Sequence, residues 1–500
     1  MAALGAPEYA NYIDGSWVHS TSGSVFEDRS PARRDELIGT FPRSDSSDLQ
    51  RAVQAAERAL PRWRATPAPA RAAVILQASR ILRERKEELA RLMTVEMGKV
   101  LDESRGDVQE GIDMAEFISG EGRRAIGETV PSELPNKVCF TRREPIGVVG
   151  CITPWNFPAA IPCWKLMPAL MAGNAVIFKP AEDTPLLATK LVEVLVEAGL
   201  PAGVLNLVHG MGEEVGAALV RHPQIRAISF TGSSLVGRDI AQVGGSLLKR
   251  VSLELGGKNA IVVLEDADLD LAVDGAIWGG FGTSGQRCTA SSRLIVERGA
   301  LQEFSDRLVA RVSRLKVGDG LRPETEVGPV INDRQLQRIH GYTEVGLREN
   351  ARLVIGGRIL TEGDYSLGHF YAPTIFDRVE PSMKIAQEEI FGPTVAIMPV
   401  DDFETALRYA NSTNYGLSLS IYTRDINRAF RAIGELEAGI VYVNAPTIGA
   451  EIQLPFGGIK STGNGHREAG ITALEEFTEW KSVYIDYSGR LQRAQIDVGD

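Results

Sequence analysis

The run "IGVVGCIT", residues 146–153, is apolar without alternation, the pattern of a strand buried on both faces. The same character returns in "NAVIFKP" (174–180), "VLNLVHG" (204–210), "IRAISFTGS" (225–233) and "RVSLELGG" (250–257). Helical patterns lie between them. "TPLLATKLVEVLVEAGLP" (184–201) predicts a helix with Thr184 as N-cap, Pro185 at its first position and Gly199 at its end. "EEVGAALVRHP" (213–223) predicts another. Strands joined by helices of this length run parallel through right-handed crossovers, so this half is an open α/β sheet with helices on both faces.

Outward from this sheet, a second alternating series starts near residue 258 with "NAIVVL" (259–264), "ADLDLAVDGAIWGGFG" (267–282), "SRLIVE" (292–297) and "GALQEFSDRLVARVSRL" (299–315). It continues in "TVAIMPV" (394–400), "SLSIYT" (418–423) and "GIVYVN" (439–444), and predicts a second α/β domain with Gly256–Gly257 as the hinge. Towards the N-terminus, "SDLQRAVQAAERALPRW" (47–63) and "ARAAVILQASRILRERKEELARLM" (70–93) read as amphipathic helices covering one face of the first sheet.

The bulk properties narrow the function. The 500 residues are 44% hydrophobic and 24% charged, an ordinary globular composition large enough for two or three domains. A net charge of −11 argues against nucleic acid and anionic membranes as partners. "MAALGAPEYANYIDGSW" has no basic stretch followed by an apolar one, so no secretory signal is expected, and no run is long enough for a membrane span. The four cysteines, Cys139, Cys151, Cys163 and Cys288, form no C-x-x-C pair and no zinc-like cluster with histidine, which points to a reducing cytoplasm and to no metal.

One cysteine stands apart. "GTSGQRCTASSR" (282–293) sets Cys288 among glycines and small hydroxyl residues, as a nucleophile, a ligand or a packing group. A nucleophile needs access, a proton acceptor and a group to hold an oxyanion. Gly279, Gly280, Gly282 and Gly285 leave the backbone bare, but the six scattered histidines make no Cys–His arrangement. Glu254, ending the "RVSLE" strand beside two glycines, is a structural carboxylate or a base whose pKa burial would raise. Asn156, in the proline-fixed "TPWNFP" (153–158), is a turn residue or an oxyanion donor.

A dinucleotide site is suggested at the strand ends. Lys179 and Glu182 read as ribose partners or as an exposed ion pair; Gly210 and Gly212, and Gly232 and Gly237 around Ser233, precede helices whose free N–H groups suit phosphate. The carboxylate of Glu182 would repel a 2′-phosphate, favouring NAD, with NADP possible.

Together "PWNFP", "FKPAEDTP", "FTGSSLVG", "LELGGKN", "GQRC", "EEIFGP" (388–393) and "LPFGGIKSTGNG" (454–465) resemble the aldehyde dehydrogenase superfamily, in order and across nearly the whole chain. The resemblance implies a catalytic set of Cys288 as nucleophile, Glu254 as base and Asn156 as oxyanion donor, with Lys179 beside them. It implies dinucleotide contacts at Lys179, Glu182, Gly212, Ser233, Glu389 and Phe391. Ile152 and Thr153 would run along the cofactor, with Pro154, Trp155, Phe230, Thr231, Gly232, Val236 and Leu255 near it. Phe157, Trp164, Phe456 and the loop 444–454 would surround the aldehyde, and Arg287 either binds a substrate carboxylate or supports the loop.

The implied domains are 1–123 with 146–255 for NAD(P), 256–463 for catalysis, and 124–145 with 464–500 as an oligomerisation arm and tail of a homodimer or homotetramer. "PTIGAEIQLPFGG" and the tail are most similar to family members acting on α-ketoglutarate semialdehyde (2,5-dioxopentanoate), with succinic semialdehyde and broad-range enzymes as competitors. A thiol hydrolase or acyltransferase would not use the Lys179–Glu182 and Gly232–Gly237 features. A coenzyme-A-acylating relative would dispense with Glu254, and a non-catalytic protein would not keep all three catalytic residues.

Overall fold

The computed structural model describes residues 7–124 and 127–497; of the expected domain ranges, residues 1–6, 125–126 and 498–500 lie outside it. The first sheet runs in the order Arg250–Glu254, Ile225–Thr231, Val148–Ile152, Ala175–Lys179, Leu205–Leu207, Asn11–Ile13, Ser16–Val18. The first five strands are parallel and the last two antiparallel. Successive residues serve opposite faces, which is why these runs do not alternate. Val148, Ile152 and Ile177 pack with Leu49, Val53 and Leu219. Val149, Cys151, Val176 and Phe178 pack with Leu166, Leu170 and Leu187 on the other side.

The second sheet has the order Arg352–Ile355, Thr374–Asp377, Thr394–Val400, Ser291–Glu297, Asn259–Val263, Ser418–Tyr422, Ile440–Val443, with only its first strand antiparallel. It too is covered twice, Ile261 and Val263 facing Phe281 and Phe304, and Val262 and Ile295 facing Leu336 and Ile339. In a third, antiparallel sheet, Lys137–Pro145 lies between Thr478–Asp486 and Thr129–Val130.

Several local expectations are corrected. The two N-terminal helical segments lie on opposite faces of the first sheet. Ser46–Ala65 sends Leu49 and Val53 to one face, whereas the helices after it pack Ile75, Leu82 and Met93 into the other layer. Pro67 prevents one continuous helix, and Trp63, whose Nε1 donates to Leu170 O at 3.0 Å, already belongs to the second layer. The stretch 70–93 is divided at Arg85 (φ −97°, ψ 10°), giving Ala68–Glu84 and Lys86–Met97. Thr184 makes no side-chain cap; Glu96 takes that place, accepting from Leu187 N at 3.0 Å and from Leu186 N. The helix expected at 213–223 opens as a π-turn, Gly212–Gly216, before Ala217–Arg221. A hairpin not foreseen, Asn11–Ile13 with Ser16–Val18, turns on Asp14 (φ 52°) and Gly15 (φ 83°), the left-handed pair of a type I′ turn.

The third sheet and the C-terminal segment are tied to the first by Asn174, which is fully buried. Its amide donates to Ala169 O (3.0 Å) and Phe477 O (2.9 Å), and its oxygen accepts from Gly147 N (3.0 Å). Asn174→Ala strips the buried Gly147 N–H and Phe477 carbonyl of these partners, while Ala169 O keeps the backbone N–H of residue 174. The variant's unfolding free energy, from urea titration, should fall by about 3 kcal/mol; an unchanged midpoint would show that this tie is dispensable.

Candidate active site

The carboxyl ends of the first sheet form a row. The register sets Thr231 beside Glu254, Phe230 beside Ile152, and Ile152 beside Lys179. Thr153 N donates to Lys179 O at 3.2 Å. Lys179 Nζ lies 2.9 Å from Glu182 Oε2. Burial works against the charged carboxyl of Glu182, but the charge and hydrogen bond of Lys179, with the Glu182 backbone N–H and Arg334, together hold its pKa below the ordinary value. One strand further along, Gly212 opens the π-turn. Ser233 caps the Ser234–Ser246 helix, and its Oγ accepts from Val236 N at 3.4 Å. Gly232 has no room for a side chain: a Cβ there would sit 2.5 Å from the Phe230 ring.

Two cavities meet at Cys288. One, of about 120 Å³, is lined by Pro154, Trp155, Asn156, Thr231, Gly232, Ser233, Leu255, Glu389 and Phe391, with Gln335 and Arg338. The other, of about 100 Å³, is mainly apolar and lined by Phe157, Ile161, Trp164 and Phe456, with Glu110, Glu254, Arg287 and Glu468. Cys288, Thr231, Leu255 and Ile161 belong to both. Eight of the expected cofactor residues therefore converge on the first cavity, and all four expected aldehyde residues on the second. Ile152, Thr153, Lys179, Glu182, Gly212, Phe230 and Val236 do not line the first cavity; they continue the row beyond it.

The loop before Cys288 is strained and firmly held. Thr283 (φ 51°), Ser284 (φ 56°) and Gly285 (φ 68°) are all left-handed, costing about 1–3 kcal/mol for each of the two non-glycine residues. Thr283 N donates to both oxygens of Glu103 (2.8 and 3.0 Å), Ser284 Oγ to Gly328 O (2.7 Å), and Ile331 N to Gln286 Oε1 (3.0 Å). Gly285 is required, since a Cβ would lie 2.1 Å from Gly392 O. Beyond the loop, Asn259 Nδ2 donates to Cys288 O (2.8 Å). Asn156 is bound to the same loop, its Nδ2 donating to Gln286 O at 3.0 Å.

Gly256–Gly257, expected as a hinge, is a packed junction. Cβ atoms there would lie 2.4 Å from Glu389 Oε2 and 2.4 Å from Cys288 O, and Gly257 N donates to Glu389 Oε1 at 2.9 Å. Both glycines serve close backbone approach.

Glu254 is buried with both carboxyl oxygens unpartnered among the described residues. Burial, then the charge of Glu468, raises its pKa well above the ordinary value, with Lys165 opposing. Gly457 (φ 144°) makes space for it, since a Cβ there would stand 2.4 Å from Glu254 Oε1. Behind it, Lys165 is ion-paired with Glu468 and donates to Ser229 Oγ (2.9 Å), while Ser252 and Ser229 donate to Glu476. Burial pushes the Glu476 carboxyl up to about 7.

Several of these residues escaped sequence reading. Lys165, Glu468 and Glu476 look like ordinary surface charges in the linear chain, as do Glu103, Asp107 and Glu110. The only available signal for the last three was their spacing of four and three on one helix. Arg287 does support the loop, with Nε to Thr283 Oγ1 (3.0 Å) and Nη2 to Glu103 (3.0 Å), yet it also lines the second cavity.

Residues 17–483 match the model of the aldehyde dehydrogenase family. The chain is 43% identical over 477 residues to an α-ketoglutaric semialdehyde dehydrogenase of Bacillus subtilis, covering 95% of this chain and 98% of that one. It is 41% identical to a 2,5-dioxopentanoate dehydrogenase of Saccharolobus solfataricus over 94% of this chain and 97% of the other. A betaine aldehyde dehydrogenase of Staphylococcus aureus, solved in complex with NAD+, superposes with a TM-score of 0.94 at 35% identity, over 97% of this chain and 96% of that one.

Burial, then the charges of Glu254 and Glu389, pushes the Cys288 thiol pKa well up, with the Thr289 backbone N–H opposing. In the protein without cofactor the thiol is therefore protonated at neutral pH. Iodoacetamide labelling of Cys288, followed by peptide mapping, should accelerate about tenfold per pH unit up to about pH 9 without levelling off. A plateau below about pH 8 would contradict this environment.

Proposed function

The chain belongs to the aldehyde dehydrogenase family, and from that premise we propose that it oxidises α-ketoglutarate semialdehyde (2,5-dioxopentanoate) to 2-oxoglutarate with NAD. The observation carrying this reading is the meeting of an apolar cavity and a strand-end cavity at one cysteine, flanked by Glu254 and Asn156. The substrate is supported by two relatives at 41–43% identity that bear its name.

The residues fit a dinucleotide. Lys179 and Glu182 would take ribose hydroxyls, the bare backbone at Gly232 and the helix start at Ser233 would take phosphate, and Glu389 and Phe391 would hold the nicotinamide half. Glu182 disfavours a 2′-phosphate, so NAD is preferred to NADP. A nicotinamide bound there supplies the two-electron acceptor that turns an aldehyde adduct into a thioester.

The chain's own residues do the rest. Cys288 reacts as the thiolate, its proton having passed to solvent; Sγ bonds to the aldehyde carbon, and the carbonyl electron pair moves to oxygen. The Cys288 backbone N–H and the Asn156 amide stabilise that oxyanion, a donor of this kind being worth about 3 kcal/mol. Glu254 later removes a proton from water, whose oxygen attacks the thioester carbon. The C–S bond breaks, the thiol regains its proton, and the acid leaves. A carboxyl of raised pKa suits this step, because as a carboxylate it holds a proton more strongly than an exposed glutamate does. Arg287, the one cation among the described residues lining the apolar cavity, attracts the substrate carboxylate.

The antiparallel sheet of Lys137–Pro145 and Thr478–Asp486, with exposed Trp480, Tyr484 and Ile485, is a surface for a homodimer or homotetramer. The sparse cysteines suit a cytoplasmic enzyme.

The test follows formation of reduced cofactor with a panel of aldehydes. The kcat/KM for 2,5-dioxopentanoate should exceed that for propanal and hexanal by roughly 100-fold. Equal values would overturn the substrate. Cys288→Ala should bind NAD without turnover; retained turnover would overturn the chemistry.

A further inference from the structure

The helix Leu101–Glu121 presents three carboxylates towards the catalytic region, Glu103, Asp107 and Glu110, spaced to share one face. Two have evident structural work. Glu103 holds Thr283 N and Arg287. Asp107 accepts from Ala160 N at 2.7 Å, fixing the start of the Ala160–Ala172 helix, and from buried Lys99 at 2.8 Å. The third has none: among the described residues no hydrogen bond reaches the Glu110 carboxyl, which instead lines the apolar cavity with Cys288, Arg287, Phe157 and Trp164. Glu110 is half-buried, and its carboxyl is free to bond a molecule that enters this cavity.

Charge balance determines what it offers. Arg287 and Lys99 are matched by Glu103 and Asp107. An ionised Glu110 would therefore give its end of the cavity an excess negative charge, repelling an anionic aldehyde and favouring a cationic one. Burial, then the neighbouring charge of Asp107, pushes the Glu110 carboxyl up to about 8, against the pull of Arg287 and Lys99. At neutral pH it is chiefly a neutral acid, and a neutral acid is an O–H donor.

We propose that Glu110 is a specificity-determining residue that donates a hydrogen bond to the 2-oxo oxygen of the substrate, while the adjacent carboxylate faces Arg287. The inference rests on the substrate reading above and deepens it. Phe157, whose ring centroid lies 3.9 Å from Lys99 Nζ and 5.3 Å from the Arg287 guanidinium, adds apolar surface to the same cavity.

The experiment compares wild type, Glu110→Leu and Glu110→Gln on 2,5-dioxopentanoate, on 5-oxopentanoate, which lacks only the 2-oxo group, on hexanal and on the cationic betaine aldehyde. Glu110→Leu should lose roughly 10- to 100-fold in kcat/KM on 2,5-dioxopentanoate and change by less than about threefold on 5-oxopentanoate. Glu110→Gln, still a donor, should keep most of the preference. Equal losses on both oxo acids, or a Leu variant that keeps the wild-type preference, would overturn the role of Glu110 alone. A wild type that prefers betaine aldehyde, with that preference lost in Glu110→Leu, would show an ionised Glu110 and overturn it as well. A wild type that does not distinguish 2,5-dioxopentanoate from hexanal would remove the substrate reading and this inference together.

Discussion

The free edge of the Arg250–Glu254 strand is closed by a segment from more than 200 residues away. Leu255 N donates to Thr462 O at 2.7 Å, Asn464 Nδ2 donates to Val251 O at 2.7 Å, and Asn464 Oδ1 accepts from Leu253 N at 3.1 Å. Glu254 itself bridges to Gly463. An edge strand otherwise presents unpaired backbone groups to solvent. Here closure also buries the last side chain of the strand, Glu254, beneath Gly457. Burial raises its pKa, and Glu468 adds to the effect. The same segment thus completes a sheet and creates the environment that raises the pKa of this carboxyl. A carboxylate with neither oxygen bonded is costly in a folded interior, which favours the protonated form of Glu254.

The thiol is placed by strain of a different kind. Three left-handed residues in succession carry the chain from the Leu269–Phe281 helix to Cys288, and this conformation persists only because Glu103, Gly328, Ile331 and Asn259 hold the loop and its backbone. Glu103 belongs to the first half of the chain and Thr283 to the second, so the anchors also join the two sheets' neighbourhoods. Gly256 and Gly257 allow Glu389 and the Cys288 carbonyl to approach the backbone within distances that no side chain would permit. Positional accuracy at the sulfur comes from these contacts, not from the cysteine's own acidity, which burial opposes.

Five parallel strands of each sheet were legible because a doubly covered parallel strand is largely apolar, whereas Arg352–Ile355 and Thr374–Asp377, towards one edge of the second sheet, went unread. The motif residues Cys288, Glu254 and Asn156 could be picked out from type and context; Cys288 borders both cavities, Glu254 one and Asn156 the other. What escaped reading depends on tertiary contact. Glu103, Asp107 and Glu110 resemble a solvated helical face until Arg287, Lys99 and the apolar cavity are set against it. Glu96 replaced Thr184 as the cap of a helix 90 residues away, a substitution no local pattern encodes. The Asn11–Val18 hairpin did carry a local sign, its Asp14–Gly15 pair, and that sign went unread beside the stronger apolar runs.

The central claim is that the Cys288 sulfur carries the acyl group and that Glu254 releases it. Intact-protein and peptide mass measurement of Glu254→Gln, quenched after mixing with NAD and 2,5-dioxopentanoate, tests this most directly. The account predicts a stoichiometric thioester on the peptide containing Cys288, slow to disappear and absent from Cys288→Ala. An unmodified Cys288 during continued product formation, or an adduct on another residue, would contradict it.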